Sequence, residues 1–343
     1  MTARTRKPPT LEDVAREARV SLKTASRVLN GAINVRQEKA DRVRAVMERI
    51  GYRPNELARS LMTRKSSVIG MIVANLANPF ITSVIHEVQE VARSHGYVAI
   101  VTSSKGRPDI ERMEIETLVR RRIDGLILAP AESRRDTITD ALPNDLPLVT
   151  LDQLVRGASF DSVTITNRRS ACDATQHLLG HGYRRIVAIG TRPHLYTSKE
   201  RITGYRESMR RASFEPRVCC VDHEDLLTSE WFDKEVIRGQ SADAVLSLNW
   251  VTTLHFLRGL DALGIRGGRN IPFIAFDDFD LGDVLSPRLT VVRQPSELLG
   301  RESAQLLFDR MNGKRRPKPD AVVLPAGLII RESCGCKGSR SSS

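Results

Sequence analysis

The apolar positions between residues 10 and 50 are spaced as in short α-helices. The first helix is predicted to begin at Thr10, whose hydroxyl fits a capping box with the carboxylate of Asp13. A second helix is predicted to begin at Ser21, and a third to span about 37–50 and end at Gly51. The apolar residues that line one face of these helices are Leu11, Val14, Ala15, Ala18, Ala25, Val28, Leu29, Ala40, Val43, Val46, Met47 and Ile50.

The connection between the first two helices is very short. Only Arg19 and Val20 separate them, so the helices must cross sharply. This is the geometry of a helix-turn-helix motif, in which the second helix enters the major groove of DNA. Taken alone, the apolar spacing fits a small helical bundle with a solvated charged face equally well.

Charge favours the DNA-binding interpretation. Residues 1–65 contain 16 Lys and Arg against 7 Asp and Glu, which is +9 of the chain's net +12. A basic excess on one small module is typical of phosphate binding. On the outward side of the second helix, Lys23 and Arg27 can donate to guanine O6 and N7, and Leu22 can contact a thymine methyl.

After residue 66 the pattern changes to apolar, β-branched runs that alternate with helical segments. The runs predicted as strands are SVIGMIVAN, YVAIVTSS, GLILAP, LPLVTLD, RRIVAIG, CCVDH, DAVLSLN and IPFIAFDD. Such alternation predicts parallel α/β sheets, and about nine strand–helix units favour two lobes over one sheet. Ligands of such sheets bind beyond the carboxyl ends of the strands, which places residues 78–80, the loop 191–201, Asn249 and Asp277 around one crevice.

Several residues of this crevice have side chains suited to a polar ligand. Asp277 follows an apolar strand, and its carboxylate can accept hydrogen bonds from ligand hydroxyls or cap the following turn. The loop that contains Arg192, His194 and Lys199 is basic. It suits an acidic ligand, such as a sugar acid or phosphosugar, but a solvated surface loop explains it at least as well.

Five motifs, DVAREARVS, TASRVLN, GYRPNELARSL, NPF and FDD, resemble those of one family. The family is the lactose-repressor/galactose-repressor (LacI/GalR) family of bacterial transcription regulators, and the resemblance covers about residues 9–333. It implies an all-α helix-turn-helix module with a hinge helix, followed by a two-lobed α/β effector domain similar to periplasmic sugar-binding proteins. The implied parts are a DNA-binding domain at 1–53, a hinge and linker at 54–65, an N-lobe at about 66–165 and 292–323, and a C-lobe at about 166–291 and 324–333.

The resemblance also implies which residues contact DNA. Base reading is assigned to Leu22, Lys23 and Arg27, and Leu61 of the hinge helix is assigned to the minor groove at the operator centre, where it kinks the DNA. That hinge helix is expected to form only on operator DNA, paired with its copy in a dimer. The complete set of implied DNA contacts is Ser21, Leu22, Lys23, Thr24, Ser26, Arg27, Asn30, Asn34, Tyr52, Asn55, Ala58 and Leu61.

Three positions depart from the family pattern in the DNA-binding module. Arg19 stands in the turn where many relatives have Gly, Ala25 stands where Val is usual, and Arg36 replaces the Ser that usually begins the third helix. A non-glycine residue in the turn must tolerate the turn's backbone conformation or change it. Arg36 is expected to be a solvated charge, with an extra phosphate contact as the alternative.

For the effector, the resemblance implies contacts from Phe80, Thr197, Arg201, Asn249, Trp250 and Asp277. Arg201 matches the family's ligand-clamping arginine, and its alternative is an ordinary surface arginine. Phe80 either faces a sugar ring or packs in the core. Asn249 matches a family Asn-Asp motif, but Trp250 replaces the Asp, and it either stacks on a sugar or packs at a helix start.

Further observations limit the class of protein. The chain has no apolar run of about 18 residues and no secretory signal, so we expect no membrane association and a location in the bacterial cytoplasm, on the nucleoid. Five cysteines show no convincing zinc spacing, and we expect no metal, no cofactor and a disordered tail at 334–343 that includes Cys334 and Cys336. No nucleophile elbow, P-loop or zinc-protease motif occurs, so an enzyme is not expected.

These observations predict a repressor of carbohydrate-metabolism genes. A homodimer is expected to bind a pseudo-palindromic operator and to be released by a small sugar-like effector. No heptad zipper is evident in the tail, which favours a dimer over a tetramer. Two alternatives remain open: a corepressor-dependent regulator or activator that responds to a purine or a partner protein, and a sugar-binding transport protein.

Overall fold

The computed structural model describes residues 9–29, 34–53, 65–133, 138, 140–143, 145–155, 157, 160–279, 281–314 and 318–336. The chain divides into two compact units, Met1–Ser66 and Ser67–Ser343. The predicted hinge helix and the predicted DNA contacts Asn30, Asn55, Ala58 and Leu61 lie outside the described residues. No described helix is both long and apolar enough to cross a membrane.

The first unit contains the three predicted helices, α1 (Leu11–Glu17), α2 (Leu22–Leu29) and α3 (Gln37–Ile50). The capping box forms as predicted, since Thr10 accepts from the Asp13 amide and the Asp13 carboxylate accepts from the Thr10 amide. Gly51 ends α3 with a φ of 67°. The three helices share one apolar cluster, formed by Val14, Ala18, Val28, Ala40, Val43 and Val46.

The second unit has two six-stranded sheets, each the centre of one lobe. The first sheet is entirely parallel and has the order β11-β5-β4-β3-β1-β2. Its strands are β1 (Val68–Val73), β2 (Val98–Ser103), β3 (Gly125–Leu128), β4 (Leu148–Leu151), β5 (Asp161–Ile165) and β11 (Ala321–Leu324). Its helices are α4 (Pro79–Ser94), α5 (Pro108–Arg120) and α10 (Ser296–Met311).

The second sheet has the order β12-β10-β9-β8-β6-β7 and is parallel except for the antiparallel strand β12. Its strands are β6 (Ile186–Thr191), β7 (Arg217–Val221), β8 (Ala244–Ser247), β9 (Phe273–Phe276), β10 (Val291–Arg293) and β12 (Gly327–Ile329). Its helices are α6 (Asn167–Gly180), α7 (Tyr196–Arg211), the short α8 (Ser229–Phe232) with the π-helix Asp233–Arg238, and α9 (Trp250–Ala262). A 3-10 turn covers Glu224–Leu226.

Within the described residues, the chain crosses between the lobes three times. The crossings fall at residue 166, at 294–295 and at 325–326, between strands or helices that belong to different sheets. The last two lie a few residues later than expected: residues 292–293 were assigned to the N-lobe but extend β10 of the second sheet, because they pair with β9 and β12. The last helix, α10, packs against α4 in the first lobe, as the family resemblance implied.

The end of the described chain differs from the expectation. Cys334 was placed in a disordered tail, but its side chain is fully buried in the apolar cluster of the second lobe, and Cys336 packs against the same cluster. The expectation was wrong because the Gly and Ser content of the segment conceals two thiols that pack like apolar groups. Residues 337–343 lie outside the described part of the chain.

Candidate functional site

Helix α2 presents the predicted base-reading residues to solvent. Ala25 and Val28 are buried on one side of the helix, so the helical repeat turns Leu22, Lys23 and Arg27 outward, and all three are exposed. Leu22 keeps 46% of its surface accessible. This surface therefore combines two cations with one apolar side chain, which is the set of groups that reads guanine and thymine in a major groove.

The remaining predicted DNA contacts of the first unit have mixed roles. The Ser21 hydroxyl accepts from the Thr24 amide at 3.2 Å, so Ser21 also caps α2, and it lies 2.9 Å from the Thr24 hydroxyl. Ser26 is partly exposed and Asn34 is exposed. Tyr52 packs against the apolar cluster, and burial raises the pKa of its hydroxyl. Their contacts with DNA stay predictions.

The three departures from the family pattern have structural consequences in this unit. Arg19 adopts a φ of 53°, so the turn keeps its left-handed conformation without glycine. Ala25 is buried. Arg36 makes no side-chain cap for α3, which fits the expected solvated charge.

A cavity of about 610 Å³ lies where the strands of both sheets end at their carboxyl termini. All six predicted effector residues line it: Phe80, Thr197, Arg201, Asn249, Trp250 and Asp277. Their loops follow β1, β6, β8 and β9, so the crevice rule for parallel sheets placed them correctly. That they contact an effector stays a prediction.

Arg201 is fixed at the floor of this cavity. It is almost fully buried, its Nε donates to Asn167 Oδ1 at 2.7 Å and its Nη1 donates to the Leu248 carbonyl at 2.6 Å. The guanidinium lies 4.2 Å from the centre of the Phe276 ring. An arginine held by so many contacts is preorganised, which removes the surface-arginine alternative for this residue.

Two carboxyl groups stand near Arg201. Asp277 is buried and accepts a hydrogen bond from Gln294 Nε2, and burial raises its pKa although Arg201 opposes the rise. Burial likewise raises the pKa of Asp152 to about 6, against the opposing charge of Arg201. Because the two carboxyl groups share one cation, their oxygens can still accept hydrogen bonds from ligand hydroxyls.

Three of the predicted cavity residues also have structural roles. Asn249 caps α9 by accepting from the Thr252 amide at 2.9 Å, and its Nδ2 donates to the Thr191 hydroxyl at 3.1 Å. Phe80 belongs to the core of the first lobe as well as to the cavity wall. Trp250 is the first residue of α9 and remains partly exposed. Phe80 therefore both packs in the core and lines the cavity.

Among the described residues, two pairs form hydrogen bonds between the lobes at the cavity. Gln153 Nε2, after β4, donates to the Thr197 hydroxyl at 2.8 Å, and the Thr197 amide donates to Gln153 Oε1 at 3.3 Å. Arg192 Nη2 donates to the Lys105 carbonyl at 3.3 Å. The Thr197 hydroxyl is thus engaged across the cleft, so any ligand that uses it competes with a lobe–lobe hydrogen bond.

Sequence reasoning missed several polar residues of the cavity wall, among them Lys105, Asp152, Gln153 and Gln294. Each follows a strand within two residues, so the same rule that located Asp277 could have found them. With Glu224 added, the wall has three basic and three acidic side chains, namely Lys105, Arg192, Arg201, Asp152, Glu224 and Asp277. Of the basic loop, only Arg192 lines this cavity.

A basic helix-turn-helix unit followed by a two-lobed unit with a polar cavity defines a ligand-responsive, DNA-binding transcription regulator. The family model of bacterial regulatory proteins of the lacI family matches residues 10–55, and that of a periplasmic binding protein-like domain matches residues 175–334. The chain belongs to the LacI family of bacterial transcription regulators. The helix-turn-helix module and the two-lobed parallel fold predicted from the sequence are confirmed.

Similar proteins match nearly the whole chain. The transcriptional regulator PtxS of Pseudomonas plecoglossicida is 31% identical over 335 residues, which cover 96% of each chain. The regulator KdgR of Bacillus subtilis is 29% identical over 333 residues, covering 94% of this chain and 97% of KdgR. The chain is therefore a helix-turn-helix transcription regulator, in agreement with the prediction.

Two solved structures are similar over nearly the whole chain. The Lac repressor dimer bound to operator and the anti-inducer ONPF matches with a TM-score of 0.82 at 23% identity, over 96% of this chain and 99% of the repressor chain. The complex of the regulator CelR with cellobiose matches with a TM-score of 0.70 at 28% identity, over 95% and 99%. The first match shows a shared fold.

Proposed function

We propose that this regulator represses carbohydrate-metabolism genes, binds a pseudo-palindromic operator as a homodimer, and is released by a small neutral sugar. The observation that carries the proposal is the cavity wall. It has equal numbers of basic and acidic side chains, while Phe80 and Trp250 add aromatic surface. Carboxylates and a fixed arginine bind hydroxyl groups, and aromatic faces stack on sugar rings, so a neutral polyhydroxylated ligand satisfies the wall better than an anion.

The relatives are consistent with this ligand class and with this assembly. The CelR structure contains cellobiose, and the Lac repressor structure contains a dimer on operator DNA. A dimer would place two α2 helices in successive major grooves, which explains why an operator with two-fold symmetry is expected.

The ligand would act by changing the balance between two arrangements of the lobes. The Gln153–Thr197 and Arg192–Lys105 contacts cross the cleft next to the cavity. A ligand that binds one arrangement more tightly shifts the population towards it, by no more than its difference in binding free energy. In this proposal the sugar-bound arrangement has the lower affinity for operator DNA, so the sugar induces transcription.

Ligand class is tested with the tryptophan of the cavity as reporter. Trp250 lines the cavity, whereas the other tryptophan, Trp231, packs against Phe232 in the second lobe. A Trp231→Phe protein is titrated with neutral mono- and disaccharides, sugar acids and purine bases, and Trp250 fluorescence is recorded. We expect a saturable change with one or more neutral sugars. A response confined to sugar acids or purines would refute the neutral-sugar proposal.

The cavity assignment is tested with a matched pair on α7. Arg201→Gln removes the buried guanidinium and should weaken sugar binding about 10- to 100-fold, as loss of a charged hydrogen bond does. Arg210→Gln removes the same charge from an exposed position of the same helix and should leave binding unchanged. Equal losses in both variants would show that the cavity is not the sugar site.

The direction of control is tested on DNA. Genomic fragments retained by the purified protein are sequenced, and their release is measured after the sugar identified above is added. A common pseudo-palindrome near carbohydrate genes, released by the sugar, supports induction. Tighter retention with the ligand would favour the corepressor alternative instead.

A further inference from the structure

Four metal-binding side chains meet on the second lobe, away from the effector cavity. The donor atoms of His177, His181, Cys334 and Cys336 all lie within 4.8 Å of one another. None of these residues lines the cavity. His177 lies on α6, His181 is the C-cap residue of the same helix, and the cysteines lie in the segment that follows β12.

Local geometry explains how each pair comes together. His177 and His181 are four residues apart around the end of α6, so their side chains share one face, with ring centres 4.9 Å apart. Gly335 separates the two cysteines with a φ of 97°, a conformation that favours glycine. A side chain at this position would collide with the Tyr183 hydroxyl, 2.4 Å from where its Cβ would lie. Glycine thus lets both thiols approach the same helix face.

The donor spacing approaches that of a tetrahedral site. His177 Nε2 lies 3.3 Å from Cys334 Sγ and 3.6 Å from Cys336 Sγ, and His181 Nε2 lies 3.1 Å from Cys336 Sγ. In a tetrahedral zinc site the bond lengths place neighbouring sulfur and nitrogen donors about 3.4–3.8 Å apart. Small side-chain adjustments are therefore enough to surround one ion.

We propose that His177, His181, Cys334 and Cys336 form a tetrahedral site for a zinc ion. Two thiols and two imidazoles are the soft and borderline ligands that select zinc over magnesium or calcium. Four protein ligands leave no open coordination position, so the site is structural rather than catalytic. The cysteine pair and the histidine pair are more than 150 residues apart in the sequence, which is why no zinc motif is apparent there.

The surroundings of the ligands support this assignment. The Thr290 hydroxyl donates to Cys334 Sγ at 3.1 Å, which stabilises a thiolate at that position. Zinc binding would require loss of the thiol protons, so binding should release protons.

The ion would fasten the last described segment to the second lobe. In this segment Arg331 donates to Asp278 Oδ1 at 2.9 Å, and the Ser333 hydroxyl donates to the Phe273 carbonyl at 2.8 Å. Asp278 follows Asp277 of the effector cavity directly. A zinc ion at the end of the segment therefore stabilises the strand ends that hold one wall of the cavity, and its removal should lower the unfolding temperature of the effector unit.

The first test measures metal directly on the full chain, prepared without an affinity tag and under reducing conditions. Zinc is quantified by mass spectrometry, and the metal-free protein is titrated with Co²⁺. We expect about one zinc per chain, and a cobalt spectrum with tetrahedral d–d bands and thiolate-to-cobalt charge transfer. Absence of both the zinc and the charge-transfer band would overturn the proposal, and this result needs no variant.

Matched variants then assign the ligands. Cys336→Ser and His181→Asn each remove one donor at a partly exposed or exposed position and should weaken zinc binding at least about tenfold. Cys219→Ser removes a thiol from β7, outside the cluster, and should retain the metal. The assignment would be contradicted if Cys219→Ser lost zinc to the same extent. It would also be contradicted if the wild-type protein formed a Cys334–Cys336 disulfide under reducing conditions.

Discussion

Glu111 is a carboxyl group held away from water on α5. It is fully buried, and one oxygen accepts from the Ala131 amide at 2.6 Å. Its Oε1 has no hydrogen-bond partner among the described residues. Burial raises the pKa of this carboxyl to about 7, so the folded protein holds a proton that the unfolded chain releases near pH 4.5.

Stability should therefore depend on pH through this residue. Because the pKa is raised in the folded state, its contribution is complete below about pH 4.5, declines as the pH rises towards 7, and stays low above that. Glu111→Gln keeps an acceptor for Ala131 but cannot ionise, so at pH 8 it should stabilise the effector unit by about 2–3 kcal/mol. Thermal unfolding at pH 8 and pH 4.5 measures the difference, which should vanish at the lower pH.

Glu114→Gln is the control for this prediction. Glu114 lies on the same helix and is partly exposed, so its replacement should leave the pH dependence unchanged. A Glu111→Gln protein that is no more stable than the wild type at pH 8 would mean that water reaches the buried carboxyl.

At the residue scale, the sequence located cavity residues better than it described their contacts. Asp277 and Arg201 lie in the predicted crevice because strand ends are recognisable from apolar runs. That Thr197 bonds to Gln153, and that Gln294 donates to Asp277, depends on residues 44 and 17 positions apart. No local pattern in one sequence contains such pairings.

Among the elements, the turn between α1 and α2 carries backbone strain. Arg19 occupies it with a φ of 53°, which costs a side-chain-bearing residue about 1 kcal/mol relative to glycine. Arg19→Gly should stabilise the DNA-binding unit by that amount, whereas Arg19→Ala, which keeps the Cβ and loses the charge, should not. Hydrogen exchange of the Val14 and Val43 amides reports on this unit, and equal protection in both variants would argue against strain.

A second prediction at this scale concerns base reading by helix α2. Arg27→Ala should reduce the preference for operator over random DNA by about 1–3 kcal/mol, because one base-edge contact is lost. Arg42→Ala removes an equal charge from an exposed position of α3 and should weaken both DNAs alike. Competition binding with operator and scrambled duplexes measures the preference. An unchanged preference in Arg27→Ala would exclude this side chain from base reading.

Long helices and most buried strands were predictable elements, whereas the buried strand β5 and the short strands β10, β11 and β12 were not. The apolar run SVIGMIVAN predicts β1. Its apolar residues are continuous because the strand is almost entirely buried on both faces. Strands β10 and β12 have three residues each, and β11 alternates between exposed and partly buried positions at a sheet edge. Such segments contain too few apolar positions to differ from loops.

Across the whole molecule, charge is distributed unevenly. Residues 1–65 hold +9 of the net +12, whereas the cavity wall is balanced. DNA affinity should therefore fall about a thousandfold or more between 50 and 200 mM salt, since each phosphate contact releases a counterion. Sugar affinity should change little over the same range. Parallel DNA and sugar titrations measure both, and a sugar affinity that falls as steeply would indicate an anionic ligand.

The architecture of the whole molecule could be predicted where it follows from the alternation of strands and helices and from the family motifs. The crossing at residue 166 was located to one residue, but β10 and β11 extend past the expected positions of the other two, and the packing of Cys334 was missed. Each miss involves a short segment whose position is fixed by partners distant in sequence rather than by its own pattern.

Because of the three crossings, neither lobe can finish folding until late in the synthesis of the chain. The first lobe closes its sheet with β11, which pairs with β5, so a strand from residues 321–324 is required. Ribosomes add about 5–20 residues each second, so the DNA-binding unit emerges tens of seconds before either lobe can finish folding. Nascent chains tethered to ribosomes should therefore expose unfinished sheet edges for most of their synthesis, and chaperones that bind such edges would have their main task at this stage.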